Sequence, residues 1–212
     1  MNNAGIDSVV NKELRTFEEV ELKYPKLGKY KELVTAQIKK HYILFIELMK
    51  NPKAIDSRTF AISGLLLRSL NYYKGALWSL ATGNQHVFAD CLRSICETMA
   101  LAHYINKNPE YVKIATSGKK DHENSALRIV NIQTMIRKLD KKHEGIVQDY
   151  EKLCNQIHPN PESLFANVRS ISNEKIFIGT VSPITEKEAE MKLVMLIHWT
   201  NWFFEEMESV EN

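Results

Sequence analysis

Apolar residues recur three and four positions apart over most of the chain, and that rhythm breaks only at short stretches holding glycine, proline or asparagine. The first rhythmic stretch predicts a helix from about Ile6 to Lys23, stopped before Pro25. The second runs from about Lys29 to Met49 and closes at Asn51-Pro52, with Leu33, Ile38, Tyr42, Phe45, Ile46 and Met49 supplying much of its inner stripe. A third helix spans about Ser57 to Thr82, and Gly83-Asn84 turns it into a fourth from about Gln85 to Asn106. Two long helices joined so briefly lie antiparallel.

Further on, Asn108-Pro109 starts a short helix to about Thr116, because proline suits the first helical position, and Gly118 ends it. Helices from Asp121 to about Leu139 and from Glu144 to about Ile157 follow. Between Leu164 and Val181 the residues become β-branched and aromatic, which predicts a small hairpin or extended flap with its turn near Asn173. Thr185 and Glu188 are then spaced as a capping box, opening a last helix to about Met207 lined by Leu193, Leu196, Trp199, Phe203 and Phe204. The fold class is all-α: an up-and-down helical bundle with that hairpin before its last helix, one domain over residues 1–212.

The fourth helix is apolar nearly all round. Phe88, Cys91, Leu92, Ile95, Met99 and Ala102 make one stripe, and Ala89, Ala100, Leu101 and Tyr104 occupy much of the other side. Such a helix is central in a bundle, so its two charges, Arg93 and Glu97, are expected to be buried. They stand one turn apart and can pair, either as a structural ion pair or as part of a site, since charges removed from water are both costly and often functional. The third helix is also apolar over most of its circumference, with Phe60, Leu67 and Trp78 among its large residues. Arg68 interrupts it and either joins the same polar centre or extends to the surface.

On the helix before Pro159, Tyr150, Leu153, Cys154 and Ile157 form the inward stripe and His158 sits on its flank. Proline disfavours helical backbone in the residue before it, so His158 ends the helix near the negative end of its dipole. That position favours the imidazolium and suits either a C-terminal capping donor or a proton-transfer group.

Composition narrows the classes without choosing one. Twenty-eight Lys and Arg against 26 Asp and Glu leave a net charge of +2, so no overall basic field points to nucleic acid, although lysines cluster locally. Apolar runs are short, the best being Leu65-Leu66-Leu67 before Arg68, which gives no membrane span. Three cysteines without a CxxC, and an N-terminal stretch lacking a signal-peptide pattern, fit buried thiols in a reducing, cytoplasmic setting. Zinc held by Cys154 and His158 is disfavoured by ligand spacing, and the sequence calls for no metal and no cofactor. His103 and His198 read as core residues, Trp78, Trp199 and Trp202 as packing. No phosphate loop, GxSxG or HExxH is present.

A helix motif of the LLRSL or CLRSICE type, followed much later by Tyr-x-x-Leu-Cys-x-x-x-His-Pro-Asn, resembles a group of bacterial all-helical proteins similar in outline to the HEPN superfamily. The likeness covers mainly residues 60 to 160. It implies a bundle, often a homodimer, in which many members are metal-independent ribonucleases of toxin or anti-phage systems, using an Arg and a His on RNA. The literal Arg-to-His match is Arg137-Lys138-Leu139-Asp140-Lys141-Lys142-His143. It lacks the polar uncharged residue after the arginine and straddles a helix break, so it reads as a solvated, charged connection. The expected site is therefore Arg93, Glu97 and His158 as the reactive groups, with Tyr150 and Arg68 as binding residues. The alternative is a non-enzymatic binding or regulatory module with a structural polar centre, whose hairpin makes the partner contact.

Overall fold

The computed structural model describes residues 3–50, 56–113, 130–157, 168–172, 175–178 and 184–208. Among the described residues seven α-helices make the bundle: α1 (Asn3–Lys23), α2 (Lys31–Met49), α3 (Ser57–Thr82), α4 (Gln85–Lys107), α5 (Ile132–Leu139), α6 (Ile146–Ile157) and α7 (Glu186–Glu208). Short 3-10 turns at Pro25–Tyr30 and Pro109–Tyr111 join neighbours, so α2 starts two residues later than its periodicity suggests. Two strands, β1 (Val168–Ser172) and β2 (Lys175–Ile178), pair antiparallel with each other. The rest of the span 164–181 lies outside the described residues, as do the end of the short helix expected to run to Thr116 and the first part of the one expected from Asp121.

Local signals place most of the helix ends. Gly83 takes the left-handed conformation at φ 78° to end α3, and the Asn84 side chain accepts the Val87 N–H at 3.1 Å to begin α4. Thr185 and Glu188 cap α7 reciprocally: the Thr185 N–H donates to Glu188 Oε2 at 2.8 Å and the Glu188 N–H to Thr185 Oγ1 at 3.3 Å. At the start of α6 the Asp140 carboxylate accepts the N–H groups of Gly145 and Val147 at 3.1 and 3.2 Å, while Gly145 holds φ 90°.

As its composition requires, α4 is the central helix and touches α3, α5, α6 and α7. Its closest neighbour is α3, and one glycine permits that approach: a Cβ at Gly75 would stand 2.9 Å from Cys91 Sγ. On α2 the inward stripe is Val34, Gln37, Ile38, His41 and Leu44, so Leu33, expected inside, is exposed. The phase shifts because His41 is fully buried between aromatic rings, its Nδ1–H donating to Gln37 O at 2.9 Å and its Nε2 facing Ser69 Oγ at 3.3 Å. Burial pushes its pKa down to about 4, which keeps the ring neutral. Phe60, Leu67 and Trp78 on α3 are likewise exposed, where continuous burial was expected.

Alanine at position 75 tests the close approach of α3 and α4. Gly75→Ala should lower stability by about 1 kcal/mol, overpacking outweighing the gain in helix propensity. In a Cys91→Ala background the same change should raise stability, as read from urea midpoints of the four proteins.

Candidate functional site

Helices α4 and α6 run antiparallel side by side, with Tyr150 against Glu97 and Gln156 against His86. Their contact brings together three of the expected residues. The Tyr150 hydroxyl donates to Glu97 Oε1 at 2.9 Å, and Arg93 Nε lies 3.7 Å from the same oxygen, too far for a hydrogen bond. A terminal nitrogen of Arg93 donates to Asp90 Oδ1 at 3.0 Å. Arg93 and Glu97 are half-buried rather than buried, with side chains 24% and 23% exposed, and the Arg93 side of α4 opens into a cleft.

That cleft, about 370 Å³, lies among α4, the start of α5 and α6, and is walled by Arg93, Asn131, Gln133, Tyr150, Cys154 and Asn155 with others. A smaller cavity of about 20 Å³ shares Gln133, Tyr150 and Glu151 with it and adds Arg137. One guanidinium therefore stands on each side of Tyr150. The Arg93 Nε is buried without a hydrogen-bond partner, so its charge is incompletely satisfied within the chain. Burial, and the Glu97 carboxylate beside it, push the Tyr150 hydroxyl well above its ordinary pKa, so it stays protonated and donates. The arrangement offers an acceptor-rich ligand a fixed guanidinium and polar amides from two helices.

Of the other expected residues, His158 lies outside the described residues. Arg68 does not belong to this group: it is exposed on α3 with its guanidinium over the Tyr72 ring at 5.5 Å. Its neighbours on that face point to water, so it reaches the surface instead of the polar centre. Cys91 and Cys96 are buried, and burial pushes the Cys91 thiol up to about 11 and Cys96 well above its ordinary value, so neither is a ready nucleophile. Among the described residues no group of three His, Cys, Asp or Glu is placed to hold a metal ion. No helix among them is long and apolar enough to cross a membrane.

A second polar cluster was not expected from the sequence. Glu206, only 1% exposed near the end of α7, accepts from His103 Nδ1 at 2.7 Å, Lys142 Nζ at 2.6 Å and His143 Nε2 at 3.1 Å. The connection read as solvated thus buries one of its residues: His143 is 3% exposed and stacks on Trp202 at 4.5 Å. His103 is satisfied in the core as expected, whereas His198 is exposed beside Trp202. The signal available for Glu206 was a lone carboxylate at helical spacing from Trp199 and Phe203 on an otherwise apolar stripe.

Burial by itself would raise the Glu206 pKa. The hydrogen bonds from His103, Lys142 and His143 outweigh it and hold the carboxyl down at about 2. Burial lowers the His143 pKa against the opposing pull of Glu206, so the ring is neutral and donates through Nε2–H. A carboxyl with a folded pKa of about 2, below its ordinary value near 4.3, stabilises the fold fully above about pH 4.3 and loses that contribution as pH falls toward 2. The lowered values of His41 and His143 act in the same direction from about pH 6.5 downward, since the unfolded chain takes up those protons first.

Stability should therefore fall continuously from about pH 6.5 to about pH 2, as urea midpoints across that range would register. Glu206→Gln should cost about 3–5 kcal/mol at neutral pH, because the buried donors lose their charged acceptor. The variant's midpoint should also change less with acid than the parent's. Equal pH dependence in the two proteins would contradict the assignment.

No family model, curated protein or solved structure matches the chain, so the reading of the cleft rests on its geometry.

Proposed function

We propose that the chain is a HEPN-like helical bundle of a bacterial stress or defence system that acts on RNA as a metal-independent ribonuclease at the cleft among α4, α5 and α6. The observation that carries this reading is the meeting of Arg93 and Tyr150, from helices distant in sequence, on an open cleft, with Glu97 holding the Tyr150 hydroxyl and Arg137 at the margin. Arg93 contacts a phosphate oxygen and stabilises the charge that grows there in the transition state. Its bond to half-exposed Asp90 is a weak surface pair that a phosphate displaces readily. Glu97 and Tyr150 hold the site's polar wall in place. His158 takes the proton from the RNA 2′-hydroxyl. The 2′-oxygen then attacks phosphorus, the bond to the 5′-oxygen breaks, and that oxygen takes a proton from water, leaving a cyclic phosphate and a 5′-hydroxyl end.

A second reading has its own support. Arg93 stands between two carboxylates, bonded to Asp90 at 3.0 Å and 3.7 Å from Glu97, as in a structural ion cluster within a non-enzymatic binding or regulatory module. In that reading the paired strands Val168–Ser172 and Lys175–Ile178 supply the partner contact.

Cleavage of end-labelled single-stranded RNA in EDTA, with anisotropy binding alongside, separates the two. The ribonuclease reading expects cleavage by the parent protein and a loss of about 100-fold or more in Arg93→Ala and in His158→Ala with circular dichroism unchanged. It also expects tighter RNA binding by Asp90→Asn, which frees the guanidinium. No cleavage by the parent, or equal cleavage by both alanine variants, leaves the binding-module reading.

A further inference from the structure

Helices α6 and α7 both pack against α4 more than against each other, and over the first turns of α4 the gap between them stays open. The resulting cavity holds about 360 Å³. That places it toward the lower end of small-ligand pockets, which run to roughly 300–1,000 Å³. Among the described residues its apolar wall is Phe88, Leu153, Met191 and Met195. Phe88 and Leu153 are otherwise closed into the core, while the two methionines are flexible enough to refit around a ligand.

The charges in this wall are unevenly answered. Asp149 accepts from Lys152 Nζ at 3.0 Å, and Glu188 Oε2 accepts the Thr185 N–H and hydroxyl, each at 2.8 Å. Lys192 differs. Its Nζ stands 5.1 Å from the centre of the Phe88 ring, and among the described residues no hydrogen-bond acceptor reaches it, Glu188 acting on it only through space. Burial lowers its pKa, as befits an ammonium that has lost water without gaining a counter-ion. The ring face offsets only part of that loss.

A matching ligand carries one negative charge and an apolar body. The Lys192 ammonium calls for an anion, but Asp149 and Glu188 in the same wall repel a second negative charge. The amides of Gln85 and Gln156, which also line the cavity, supply donors for the other oxygen of a carboxylate. The apolar wall then takes an aliphatic chain.

We propose that the cavity between α6 and α7 is a binding site for an aliphatic monocarboxylate, with its carboxylate on Lys192 and its chain against Phe88, Leu153, Met191 and Met195. None of the residues that line it lines the α4–α5–α6 cleft, which lies on the opposite flank of α6, so the site stands apart from the ribonuclease reading.

Isothermal titration calorimetry of the full chain with butanoate, hexanoate and octanoate tests it. Affinity should rise about fourfold for each added methylene, because each one leaves water for the apolar wall. Neutral octanol should bind about tenfold more weakly than octanoate, and doubly charged octyl phosphate should also bind more weakly. Lys192→Met should weaken octanoate by about tenfold or more, with circular dichroism and octanol binding unchanged. Met191→Glu, at a position 56% exposed, should weaken octanoate as well by setting a like charge in the wall. Glu188→Gln keeps a side chain able to cap α7 and should tighten octanoate by removing a competing carboxylate. No binding of octanoate, affinity independent of chain length, undiminished binding by Lys192→Met, or a preference for octanol or octyl phosphate would each overturn the proposal.

Discussion

One buried carboxylate sets the relation among four of the helices. Glu206 enters the core on the last turns of α7 and is tolerable there only because three donors meet it, from α4 through His103 and from the α5–α6 connection through Lys142 and His143. An ionised group out of water imposes geometry that apolar packing alone would leave looser, since an unpaired charge costs several kcal/mol. Trp202, one turn back on α7, adds its ring to His143 and closes the same junction.

The cleft inherits its geometry from that junction. His143 and the Asp140 cap together fix where α6 begins, and one turn later α6 presents Tyr150 to Glu97. His103, which meets Glu206, Arg93, which walls the cleft, and Glu97, which holds the Tyr150 hydroxyl beside it, are carried by the same central helix. The long-range anchor and the open polar face are thus two ends of one rigid contact between α4 and α6.

Where physical signals are local, the sequence is readable. The ends of α3 and α4 follow from Gly83 and Asn84, and the start of α7 from the reciprocal Thr185 and Glu188 bonds, because each signal is complete within four residues. Arg93 and Glu97 stand out because they interrupt a helix that is otherwise apolar nearly all round, although both are half-buried and Arg93 lines an opening. Leu33 and Trp78 show the opposite case. On α2 and α3 apolar residues surround the helix, so the wheel does not fix its own phase, and polar His41 and Gln37 occupy the inner side while leucine faces water. The Glu206 cluster depends on partners more than 60 residues away in sequence, and nothing local in the charged run ending at His143 distinguishes its buried histidine from the exposed lysine at 141.

The most direct test of this account is the protonation state of His143 at neutral pH, read by long-range nitrogen–proton NMR of the labelled imidazole. The account predicts a neutral ring carrying its proton on Nε2, held toward Glu206, with Nδ1 bare. A doubly protonated ring, or one averaging between tautomers as a solvent-exposed histidine does, would contradict it.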